Sequence, residues 1–184
     1  MLSTMKQSIA TLTLLAALLI GCNSSKSTDD IAKVETDSLI AHVDKYHNTS
    51  VEVEGTVVHI CGVDGKKMKL KTAGGASIKV VYTDSLMRFD TAFYNKRVRV
   101  LGVLKETRLY KPYIDSMEKS KAAPCSIDSK PCIDSLWIKN KRESGAIDSI
   151  SRVGIEKLRE RMAQAGKDYI SVITIVAEKV EVIN

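Results

Sequence analysis

The stretch "VEVEGTVVHICGVDGKKMKLKTAGGASIKVVY", residues 51–82, decides the fold. It breaks into three strand-like runs separated by glycine-rich turns. Val51 to Ile60 alternates, with Val51, Val53 and Val57 on one face, the period of two expected of a strand with one buried side. Gly55 falls inside that run, where a strongly coiled barrel strand bends or bulges. "GVDG", Gly62 to Gly65, carries the Asp-Gly signal of a tight hairpin. Lys67 to Thr72 is the return strand, and Gly74-Gly75 turns the chain into a third, Ala76 to Tyr82.

Outward from this core, Leu39, Val43 and Tyr46 recur at helical spacing behind a cap at Asp37, so a short helix precedes the first strand. Asp84-Ser85 caps a short helical stretch through Leu86, Met87 and Phe89 toward Tyr94. A fourth strand follows at Arg97 to Leu104, with Gly102 inside it, and the chain closes on a β-branched fifth, Tyr169 to Ile183. Three strands, a short helix, a fourth strand, an excursion and a fifth strand is the order of an OB-fold. The expectation is therefore a mainly β domain, residues 34–184: a five-stranded OB-fold-like barrel with a long helical insertion between strands 4 and 5. An open sandwich is the competing architecture. The insertion, about residues 107–168, is too long for a bare loop. Its second half places Ile147, Ile150, Gly154, Leu158, Met162 and Ala165 on one helical stripe, with Gly166 as the stop, which reads as a helix plugging an end of the barrel. Ile-Asp-Ser occurs at 114, 127, 133 and 147. The spacing is irregular, and a local role in turns and helix caps suffices for it.

Gly55-Thr-Val-Val-His-Ile-Cys61, Gly65-Lys-Lys-Met68, Arg97 to Glu106 and the "AGKDYISV" entry to the last strand together resemble a group of uncharacterised bacterial envelope lipoproteins built on a single OB-fold. The likeness spans roughly residues 51–184. In that group the His-x-Cys strand often continues with a basic residue and a second histidine. Here those positions are Gly62 and Val63, so any metal site the resemblance implies lacks one ligand.

The first residues supply an address. Lys6 precedes an apolar run, Ile9 to Ile20, too short for a membrane-spanning helix of roughly 20 residues and laid out as a secretory signal. Leu19-Ile20-Gly21-Cys22 looks like a bacterial lipobox, with cleavage before Cys22 and a diacylglycerol on its thiol. Residues 1–21 then form a lipoprotein signal peptide and 22–33 a flexible, polar tether. The expected location is the bacterial cell envelope, anchored to a membrane through Cys22 and facing the periplasm or the cell surface.

The formal net charge of +6 includes Lys6. Such a mildly basic chain suits an anionic surface and falls short of a nucleic-acid-binding signature. With Cys22 acylated, Cys61, Cys125 and Cys132 remain. In an oxidising compartment the simplest arrangement is a Cys125–Cys132 disulfide with Cys61 left over. His59 and Cys61, two apart on a strand, share a face about 6.5–7 Å apart along the chain. Imidazole and thiolate suit zinc or copper, and zinc sites usually have three or four protein ligands. The plainer reading is a strand-end histidine beside a buried, inert thiol. On the second strand Lys67, Lys69 and Lys71 lie opposite Met68 and Leu70, and Lys79 joins them from the third. This basic outer face falls where OB-folds commonly bind ligands. It has almost no aromatic side chains, and single-stranded nucleic acid needs them for stacking. No nucleophile–base pair, phosphate loop or paired carboxylates stand out. The expectation is a non-catalytic binding or structural module for an anionic envelope ligand or a protein partner. The alternatives are a metal- or thiol-handling lipoprotein using His59 and Cys61, and a subunit of an envelope assembly.

Overall fold

The structure, a computed structural model, describes residues 32–33, 35–84 and 87–183; the leader, Cys22 and the tether up to residue 31 lie outside the described residues. β1 (Ala32–Lys33) runs parallel to the start of β2 (Ser50–Ile60), Ala32 against Val51. β2 serves two further neighbours. Its first half pairs antiparallel with β5 (Arg97–Tyr110), from Ser50↔Val103 to Thr56↔Arg97, and its second half pairs antiparallel with β3 (Met68–Lys71). Gly55 stands at the changeover. A Cβ there would come within 3.0 Å of the Lys71 carbonyl oxygen, so only glycine admits β3 this closely.

β3 pairs antiparallel with β4 (Ser77–Tyr82), β4 pairs parallel with β6 (Tyr169–Ile183), and β6 returns antiparallel to β5. The five long strands thus close into a mixed barrel in the order β2-β3-β4-β6-β5 and back to β2. The β5–β6 register slips at Leu101/Gly102. A Cβ on Gly102 would run into the Val176 carbonyl, so that bulge also requires glycine. Val51, Val53, Val57, Met68, Leu70 and Ile175 are among the side chains filling the interior. Each fully buried aliphatic contributes about 1.5–3 kcal/mol relative to exposure.

Several expectations need correction. Strand and helix contribute about equally, so the domain is a mixed β-barrel and helix protein rather than mainly β. Asp37 does not cap the first helix. Glu35 caps α1 (Thr36–Ala41), accepting from the amides of Asp37 and Ser38, while Asp37 reaches across to the Thr72 hydroxyl and the Gly74 amide. α2 (Val43–Tyr46) follows, and Leu39 and Val43 pack against the barrel core as the spacing predicts. Among the described residues between β4 and β5 one 3-10 turn forms, Thr91–Phe93 behind Asp90; the Met87 amide donates to the Asp84 carbonyl at 3.1 Å, and Phe89 tucks in to stack on Tyr82 at 4.4 Å. Ser85 and Leu86 lie outside the described residues.

Two further corrections shape the site. β5 runs on to Tyr110, so β5 and β6 leave the barrel as a two-stranded ribbon, and the insertion begins at Lys111 rather than 107. It holds three helices, α3 (Lys111–Lys119), α4 (Ser135–Glu143) and α5 (Ile147–Ala165). α5 has the bounds its pattern predicts and ends at Gly166 with φ +60°. It does not plug the barrel. With α3 it covers the outer face of the ribbon, where Leu109, Ile170 and Val172 meet Ile114, Met117, Ile155 and Leu158 in a second core. Among the described residues no helix is long and apolar enough to cross a membrane.

Candidate functional site

Alternation along β3 and β4 turns Met68, Leu70, Ile78 and Val80 inward, and Lys67, Lys69, Lys71 and Lys79 outward with Lys69 directly opposite Lys79. That lysine face is not open. The connection between α3 and α4 forms a small hairpin, bridged at Pro124↔Pro131, that lies over it. The Cys125 amide donates to the Lys130 carbonyl at 2.7 Å and the Ser129 amide to the Cys125 carbonyl at 2.9 Å, which folds residues 126–129 into a tight tip. The hairpin approaches α5 at Gly154, where a Cβ would stand 2.7 Å from Pro124 Cδ.

The tip delivers Asp128 between two of the lysines. Its Oδ2 lies 3.3 Å from Lys67 Nζ and 3.4 Å from Lys79 Nζ, and the Asp128 side chain is only 5% exposed. Burial pushes the Asp128 carboxyl up, but the two ammonium groups outweigh it and hold it below its ordinary value. Burial pulls Lys67 down, and Asp128 together with Cys125 and Cys61 more than restores it, leaving it above the usual lysine range. Lys69 donates to the Ser126 carbonyl at 2.9 Å. Of the four lysines expected to form a ligand face, Lys71 alone is exposed; the other three are half-buried and hold the protein's own loop.

Beside the hairpin a cleft of about 520 Å³ opens between the barrel and the insertion. Its apolar lining comes from Ile40, Ala41 and Val43 of the first two helices, Ile127 of the hairpin tip and Ile173 of β6. Its cations come from both sides: Lys69 and Lys79 from the barrel, Arg161 near the end of α5, and Lys167 in the turn after it. Serine hydroxyls from Ser77, Ser126, Ser129 and Ser171 also line it. Burial and the nearby Arg161 charge hold Lys69 below the usual lysine range. Arg161 and Lys167 belong to the site only because α5 folds back over the ribbon. Their position just before and after the Gly166 stop carries no local signal of it.

His59 and Cys61 differ in exposure. The register shift in β2 falls between Val57 and His59, before the pair, so it turns both side chains together and does not separate them. His59 is exposed, whereas Cys61 is buried at the strand end, its amide donating to the Lys67 carbonyl at 2.8 Å. Among the described residues no group of three or more His, Cys, Asp or Glu is placed to hold a metal. Cys61, Cys125 and Cys132 are all free thiols. The hairpin sets Cys125 against Lys130 and Cys132 against Ala123, so the expected disulfide partners are diagonal, not opposite, and unjoined. A second groove, about 560 Å³, contains Glu35, Asp37, Glu52 and Glu54 with Lys71 and Arg97. Its acids are already engaged: Glu35 as a helix cap, Asp37 on Thr72 and Gly74, Glu52 on Arg99, and Glu54 on Arg97 and Arg99.

The class defined by these features is a closed five-stranded mixed barrel whose helical insertion walls a cationic cleft. Comparison with known proteins adds no relative: the chain matches no protein-family model and no curated protein.

Proposed function

We propose that this chain is a non-catalytic binding module of the bacterial envelope, held to a membrane by a lipid on Cys22, in which a barrel of the OB type presents an anionic ligand site. The strand order supports the OB reading. Counted along the five barrel strands it is first-second-third-fifth-fourth, closed by a first–fourth pairing, with the third and fifth parallel. The observation that carries the binding role is the position of the cationic cleft. It flanks the outer face of the second and third barrel strands, the side on which barrels of this type take ligands, with the insertion as its far wall. The cleft's cations and serines suit holding an anion, and the reading is a site that binds a ligand.

Two measurements test this. The full chain should take up an alkyne fatty-acid label and fractionate with membranes, and Cys22→Ala should lose both; an unlabelled, soluble wild type removes the anchor. The chain extracted in non-ionic detergent should elute from immobilised heparin at higher salt than from plain sulfonate resin. Equal elution from both would reduce the ligand site to unspecific charge and sink the binding role.

A further inference from the structure

We infer that the cleft between the barrel and the insertion binds a phosphate-class oxyanion, a phosphomonoester or diphosphate, that carries a compact apolar body. The inference deepens the binding role proposed above and rests on it. Its first support is a local failure of charge balance. Elsewhere most guanidinium groups find carboxylates: Arg97 and Arg99 on Glu54, Arg108 on Asp44 and Glu106, Arg152 on Glu156, and Arg159 on Asp115 and Glu118, while Arg88 donates to the Asp64 carbonyl and Arg142 has no carboxylate partner among the described residues. Among the described residues, Lys69, Arg161 and Lys167 have no carboxylate partner, although they line one cleft. Arg161 donates only to the Ser129 hydroxyl at 3.1 Å, and Lys167 lies over the Tyr169 ring at 5.2 Å. Lys79 shares Asp128 with Lys67. The carboxylate that does line the cleft, Asp44, is taken by Arg108. Like charges converging without a counter-ion cost stability, and an incoming anion removes that cost.

The second support is spare hydrogen-bonding capacity. An ammonium group carries three donors and a guanidinium five. Lys69 spends one on the Ser126 carbonyl, and Arg161 one on Ser129. Ser171 lines the same cleft, and its hydroxyl is buried with no hydrogen-bond partner. A phosphate dianion offers several acceptor oxygens to several donors at once, and guanidinium matches its geometry with two parallel bonds. A single carboxylate would leave most of these donors unused. The third support is shape. At about 520 Å³ the cleft is far larger than a bare phosphate needs, and Ile40, Ala41, Val43, Ile127 and Ile173 line it beside the cations. A ligand with an anionic head and an apolar body matches both kinds of lining.

The source of that chemistry is a soluble phosphoester or a lipid headgroup, and the test separates them. The full chain in non-ionic detergent is titrated calorimetrically with inorganic pyrophosphate, with glycerol 3-phosphate, and with dihexanoyl phosphatidic acid below its micelle concentration. One-site binding is expected, weakened about tenfold in Lys69→Gln/Arg161→Gln, where glutamine keeps a donor for the Ser126 carbonyl. Ser171→Ala should weaken it severalfold. The control, Arg152→Gln/Lys157→Gln, removes the same charge from the exposed side of α5 and should bind as wild type. Tighter binding of the short lipid than of glycerol 3-phosphate identifies a headgroup; equal binding identifies a soluble phosphoester. Equal weakening by the control, or no saturable binding of any probe, overturns the cleft site. If heparin retention persists in that case, the general binding role stands; if it is lost as well, both fall.

Discussion

Asp128 sits between Lys67 and Lys79 with almost no exposure, so removing its charge leaves two largely buried ammonium groups facing each other without compensation. Breaking one side of such a buried arrangement is costly, and Asp128→Asn should lose about 2–4 kcal/mol in urea unfolding. The pH dependence follows from the sign of the shift. The folded carboxyl titrates below its unfolded value, so its contribution is complete above about pH 4 and is lost as pH falls through the folded pKa. The stability gap between wild type and Asp128→Asn should therefore hold at neutral pH and close in acid; a gap that widened in acid would reverse the assignment. The shared face of the four lysines is legible from alternation along β3 and β4. The acid that covers them is not, since Asp128 lies 61 and 49 residues from its two partners. Nor is the burial of Cys61 beside an exposed His59, because both lie after the bulge and alternation alone gives them the same face.

At the scale of elements, the hairpin is held against the barrel by Asp128 and against α5 by the absence of a side chain at Gly154. Gly154→Ala gains helix propensity of about 1 kcal/mol but drives a methyl group into Pro124. Overpacking costs about 1–3 kcal/mol, so the net effect should be a loss of about 1 kcal/mol. Hydrogen exchange at the Cys125 and Ser129 amides, which close the hairpin, should quicken more than exchange in the barrel. A purely stabilising Gly154→Ala would show that the hairpin does not rest on the helix. α5 is legible because its apolar stripe is long and Gly166 stops it. Its buried set, Ser151, Ile155, Leu158 and Met162, is rotated from the stripe read at Ile150 and Gly154, because Gly154 faces the hairpin and Ile155 the ribbon. α3 and α4 escape the pattern for a different reason. α3 buries only Ile114 and Met117, and α4 buries nothing, so neither writes a stripe long enough to recognise.

Across the whole molecule, the β5–β6 ribbon passes from the barrel core into the second core without interruption. The two cores are thus mechanically joined, yet they differ in size. The barrel interior is walled by five strands, whereas the second core closes two strands with two helices. Local unfolding should begin in the smaller one. Ile155 is fully buried there, and Ile155→Ala should cost about 2–4 kcal/mol. The variant touches no cleft cation, but α5 holds Arg161, and Arg161 with the hairpin serines forms the far wall of the cleft. Loosening the insertion should therefore weaken pyrophosphate binding severalfold at temperatures where the barrel remains folded. Val100→Ala, a truncation of the barrel core, should lower the melting temperature with a smaller effect on binding below the transition. The distinguishing readout is exchange protection. In Ile155→Ala, amides of α3, α5 and the hairpin should lose protection while β2 and β3 keep theirs, and added pyrophosphate should restore it, since a ligand bridging barrel and insertion stabilises the closed arrangement. If affinity is unchanged while α5 exchanges freely, the cleft does not depend on the insertion, and the anion contacts the barrel lysines alone.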